Sequence, residues 1–215
     1  MIGSLVSTIK LMKSLSLYLF LILFTLQTTS QADDIRDFQI AGLSVNDSLL
    51  DFINKEKIIA RKNSYKDKGY MFRLKDFYSL TFYNKNTFPK VEKFKHFPGL
   101  ENYDDIQFVL KDADNNFKLH LVSGGKYFYS MEKCFKKYEE IESELNSLFK
   151  NVPPRRSNYR HASGKAQVKS TEYIFKDGFV RLACQDWDEN SNIQDALIVM
   201  IQTMKLSRFF EKNYK

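Results

Sequence analysis

The sequence predicts an α+β fold, an antiparallel sheet of about six to seven strands with two main helices packed on one face, and three observations carry that prediction. The first is a long amphipathic stripe: Met131, Cys134, Phe135, Tyr138, Ile141, Leu145, Leu148 and Phe149 recur at helical spacing, with Lys and Glu covering the other side. The second is a set of alternating apolar segments joined by turn signals, above all the polar run 112–116 and the dipeptide Asp177-Gly178. The third is order. A helical segment followed by strands occurs twice, which reads as a tandem helix-plus-meander repeat with halves at 33–125 and 126–215. Strands joined by hairpins must pair antiparallel, and the helices must cover the sheet they precede.

Taken along the chain, residues 1–32 read as a secretory signal peptide. Lys10 and Lys13 precede an apolar run at 15–26, and Ser30 and Ala32 supply a small-x-small end, so cleavage is expected after Ala32. An uncleaved anchor is the alternative, but the run is short for a bilayer-spanning helix, which needs about 20 apolar residues. Met12 would also serve as a start. The remainder of the chain, 33–215, reads as a single exported α+β domain with no membrane span.

Phe38, Ile40 and Leu43 form a short extended segment punctuated by Gly42. Ser44 is the expected N-cap of a short helix at 45–54 continuing toward Ala60, with Asp47 in its first turn and Val45, Leu49, Phe52 and Ile53 on its apolar face. Strands are expected next at Tyr70, Phe72, Leu74; at Tyr78, Leu80, Phe82; at Ile106, Phe108, Leu110; and at Phe117, Leu119, Leu121. The main helix, 131–150, starts at the candidate cap Ser130 and is stopped by Pro153-Pro154. A basic, irregular loop is expected over 151–166. Strands then resume at Val168, Thr171, Tyr173, Phe175 and at Val180, Leu182, Cys184. The apolar run 196–204 reads as a buried strand, and 206–214 as a terminal helical turn.

The chain is basic, with a formal net charge of +7, and 43% of its 215 residues are hydrophobic, ample for a core. Its wealth of Lys, Asn, Phe, Ile and Tyr, all with A/T-rich codons, points to a bacterial source, and so to the periplasm or the outside of the cell. Only Cys134 and Cys184 occur, both in the exported part. An even cysteine count in an oxidising compartment reads as a structural disulfide. A redox role would prefer Cys-x-x-Cys, which is absent.

The stretch 38–53 carries a resemblance. Gly42, Ser44, Asp47, Ser48, Leu49, Leu50 and Asp51 follow an Ile-x-Gly-x-Ser segment and an Asp-Ser-Leu-Leu-Asp helix. In this the chain resembles a group of uncharacterised exported proteins of small-genome marine bacteria, with Cys134, Cys184 and Trp187 as later landmarks. That resemblance implies export and two cysteines, and no activity. The chain is more loosely similar to small outer-membrane assembly lipoproteins and to β-lactamase-inhibitor-type folds, but it lacks the lipid-bearing cysteine of the former.

Four constellations bear on chemistry. The run Gly42-Leu43-Ser44-Val45-Asn46 approximates a nucleophile elbow but ends in Asn where Gly is needed. Asp112, Asp114 and Asn116 imitate the start of a calcium loop, yet Phe117 and Ser123 stand where Gly and Glu are required. His96, His120 and His161 lack metal-ligand spacing, and His120 reads as a surface residue on the polar side of a strand. Trp187, flanked by Asp186, Asp188 and Glu189, reads as packing over the disulfide, with a sugar or cation platform as the alternative. The functional lead is the basic stretch. Arg155, Arg156, Arg160 and Lys165 are its candidate contacts to anionic groups on a partner, and no acidic residue lies among them. The expectation is an exported, non-catalytic interaction protein of the envelope or periplasm that meets an acidic envelope protein or an anionic surface. No cofactor, metal or nucleic acid is expected. The alternative is an exported hydrolase of unrecognised type; a deep cleft joining a carboxylate to Trp187 or His161 would favour it.

Overall fold

The computed structural model describes residues 34–67, 73–74, 76–84, 100–191 and 193–213. The chain separates into Met1–Gln31 and Ala32–Lys215. Every described residue belongs to the second unit, so the expected signal peptide lies outside the described residues, as do Tyr70, Phe72 and His96.

Ala41 and Gly42, at φ 53° and 77°, make a two-residue left-handed turn. Ile40 and Leu43 exchange both backbone hydrogen bonds around it, at 2.9 and 3.0 Å. The helix expected at 45–54 is instead a single 3-10 turn, Leu49–Asp51. The backbone N–H groups of Asn46 and Leu49 donate to the carbonyls of Leu119 and Phe117, at 2.8 and 3.1 Å. Donors committed to a distant strand are not free to close an α-helix. Ser48, not Ser44, caps the turn: its Oγ accepts the Leu50 N–H at 3.2 Å. The Ser44 N–H donates to the Asp47 carboxylate at 2.7 Å, while its buried hydroxyl has no partner among the described residues. Helix α1, Lys55–Asp67, starts after Asn54, whose Oδ1 accepts the Lys57 N–H at 3.0 Å.

Strands β1 (Arg73–Leu74), β2 (Phe77–Tyr83), β3 (Asp105–Lys111) and β4 (Leu119–Phe128) form the first meander. Helix α2 (Met131–Leu148) leads into the second: β5 (Arg155–Arg160), β6 (Ala166–Ile174), β7 (Gly178–Trp187) and β8 (Asp195–Thr203). The closing helix α3 spans Met204–Asn213. The strands form one sheet in the order β1-β2-β3-β4-β8-β7-β6-β5, antiparallel at every pairing. Seven of them are six residues or longer, and β1 has two. The two meanders meet head to head where β4 pairs with β8.

Alternation along the strands separates two apolar clusters. Leu80, Phe108, Val122, Val180, Leu182 and Leu197 pack with Cys134, Tyr138 and Leu145 of α2 and with Ile58 of α1. Phe77, Val109 and Leu121 point the other way and pack with Leu206 and Phe209 of α3. What the sequence shows as a terminal turn is thus a helix with its own hydrophobic contact. Leu206 is fully buried, a contribution of about 2 kcal/mol. Cys134 and Cys184 are bonded, with Cα atoms 6.2 Å apart, fastening the first turn of α2 to β7.

One irregularity corrects the expected surface histidine. The β3–β4 register passes from Leu110↔Leu119 to Val109↔Leu121, so the extra residue, His120, has no partner strand residue. A bulge of this kind turns a side chain out of the alternation. His120 is 6% exposed, within 3.3 Å of Thr203 Oγ1 and edge-on to Phe77.

Candidate functional site: a basic edge strand

The segment 151–166 is not an irregular loop. Its centre is β5, paired with β6 over the whole of Arg155–Arg160 and forming the last strand of the sheet. The sequence hides this strand because the run Arg-Arg-Ser-Asn-Tyr-Arg has no apolar period. An edge strand whose six residues are all exposed needs none. Charge on such an edge is also how proteins keep unpaired backbone groups from recruiting other chains indiscriminately.

Pairing fixes where each cation goes. Arg156 lies opposite Thr171, on the side of α2, and its Nε donates to Glu142 Oε1 at 2.8 Å. Glu142 also accepts from Thr171 Oγ1 at 2.6 Å. Burial alone would raise the Glu142 carboxyl, but the hydrogen bonds from Thr171 and Arg156 outweigh it and hold it below the usual range. Arg160, near the far end, donates from Nε to the Gly164 carbonyl at 2.7 Å and approaches Asp188 at 3.5 Å. Arg155 lies opposite Glu172 on the other face. Lys165 is exposed in the turn that leads into β6. The four expected residues therefore sit along one edge, with arginines on both faces. Arg155 and Lys165 have solvated head groups, whereas Arg156 is tied to α2.

Tyr159 lies 40% exposed on the same edge, and the structure adds the pairing carboxylates Glu142 and Asp188. Tyr159 could be read from the stretch itself. Glu142 could not, because only the fold brings it to Arg156. Trp187 is not over the disulfide. Three residues beyond Cys184 it falls on the opposite face, its ring 5.0 Å from that of His161 and its indole N–H donating to Gln185 Oε1 at 3.3 Å. Of the nucleophile-elbow look-alike, Ser44 is 2% exposed, and its hydroxyl meets no base among the described residues. Of the calcium look-alike, Asp112 pairs with Lys62. Asp114 accepts the Asn116 and Lys118 N–H groups at 2.9 and 3.2 Å, as a turn residue does.

One hollow, of about 440 Å³, opens between α2 and β4, lined by Phe38, Tyr103, Phe128, Ile141 and Leu197 with Glu144 at its side. Neither Trp187 nor His161 lines it. Among the described residues no helix is long and apolar enough to cross a membrane. No protein-family model, curated protein or solved structure matches the chain.

Proposed function

We propose that the chain is an exported, non-catalytic interaction protein of the bacterial envelope or periplasm, and that it holds an acidic, extended segment of a partner along β5. The observation that carries this reading is the terminal position of β5 together with its three arginines and Tyr159. A free sheet edge offers backbone hydrogen bonds to an added strand, and side chains on both faces of that edge select its charge. Arg155 and Arg160 would reach carboxylates on opposite faces of the guest. Export agrees with the disulfide, which suits an oxidising compartment.

The test is binding to a poly-glutamate peptide, with poly-glutamine as the control. The change Arg155→Gln/Arg160→Gln should weaken binding about tenfold, and added salt should weaken the wild type similarly. Arg156 is left intact because removing it would strip a partly buried carboxylate of its partner. Equal binding by wild type and variant, or affinity for both peptides alike, would refute the assignment of β5.

A further inference from the structure

We propose that the cleft at the start of α3 binds a phosphate group. Three parts of the chain meet there: Asn46 of the segment before the 3-10 turn, Lys176 and Asp177 of the β6–β7 turn, and Lys205 and Arg208 of α3, with the bulged His120 among the walls. The space is about 470 Å³, within the usual range of small-ligand sites.

Charge is the first argument. Lys176, Lys205 and Arg208 make no ion pair among the described residues. Among the described residues, Asp177 is the single carboxylate that lines the cleft. The first turn of α3 contains no acidic residue, so the helix itself offers no charge to offset Lys205 at the positive end of its dipole. That is the reverse of the arrangement that stabilises a helix. A local arrangement that opposes folding is expected where a ligand needs it, and a doubly charged oxyanion would neutralise the surplus that Asp177 leaves.

The second argument is independent of the helix end. His120 is 6% exposed, yet it lines this cleft. Thr203 Oγ1 accepts the Leu206 N–H at 3.3 Å and can give its own proton to His120 Nδ1, 3.3 Å away. With that bond the ring proton sits on Nε2, which has no hydrogen-bond partner among the described residues. Burial keeps the ring neutral, with Lys205 acting in the same direction, and in this tautomer Nε2 is the donor. An N–H with no partner among the described residues, on a ring that lines a cleft with three cations, suits an oxygen-rich anion. The phosphate could be free, carried on a soluble molecule, or carried on a phospholipid. This cleft shares no residue with the β5 edge, and the proposal does not depend on that site.

The purified, disulfide-bonded protein would be titrated with inorganic phosphate while the His120 ring signals and the Lys205 amide are followed by NMR. A parallel arm would use phosphatidylcholine vesicles with and without phosphatidic acid. Saturable binding that moves His120 is expected. Lys205→Gln/Arg208→Gln should weaken it about tenfold, whereas Lys133→Gln/Lys136→Gln, an equal loss of charge on α2, should leave it unchanged. Vesicle binding that phosphate displaces would assign a lipid headgroup; phosphate binding without vesicle binding would assign a soluble source. Equal weakening in both variants, vesicle binding that survives Lys205→Gln/Arg208→Gln, or no movement of His120 would overturn the proposal.

Discussion

His120 ties the bulge in β4 to the pH response of the whole chain. Burial, and after it Lys205, pushes its imidazole down to about 4. The unfolded chain therefore binds a proton between about pH 6.5 and pH 4 that the folded chain refuses, and stability falls as pH drops through that window. The full difference is worth about 3 kcal/mol. Denaturant unfolding at pH 7 and at pH 4.5 should show a larger loss for the wild type than for His120→Gln; identical losses would mean the ring is not held neutral by burial. Sequence alternation alone places His120 on the surface, because Phe117, Leu119 and Leu121 look like one face. The bulge sends Leu119 and Leu121 to different apolar clusters, and nothing in the residue types announces it. Ser44 misleads for a related reason. Its spacing to Asp47 is that of a capping box, but the hydrogen bonds that would complete a helix are spent on residues far along the chain.

At the level of elements, legibility tracks burial on one side. Helix α2 is plain in the sequence because one stripe is buried and the rest is solvated, whereas the turn expected at Asp177-Gly178 lies one residue earlier, at Lys176-Asp177, with Gly178 already opening β7 opposite Thr203. The β5 strand has no buried face to leave a pattern, so composition suggests a loop. The disulfide joins the two kinds of element, closing a sequence separation of 50. A loop of that length stabilises by about 4 kcal/mol in the chain-entropy account. Cys134→Ala/Cys184→Ala should therefore lower the stability extrapolated from urea unfolding by about that amount. An unchanged midpoint would show that the packing of Tyr138 and Leu145 alone holds α2 in place.

Across the whole molecule, the repeat legible in the order of elements becomes a topology, two meanders joined through β4 and β8. The candidate site was legible as a charge run but not as a shape, since its meaning depends on β5 coming last in the sheet. That position has a consequence for the company the protein keeps. An open strand edge is a template for any extended chain, and the nearest supply of such chains is another copy of itself. Two copies meeting edge to edge, antiparallel, keep their faces aligned, and centred on Asn158 they would set Arg156 of each against Arg160 of the other. Like charges would drive twins apart while an acidic stranger is admitted. The edge would then act as a filter against self-assembly, keeping the strand vacant for its guest. Sedimentation should find the wild type monomeric at concentrations where Arg155→Gln/Arg156→Gln/Arg160→Gln pairs. A triple variant that stays monomeric would show that shape, and not charge, keeps the copies from joining.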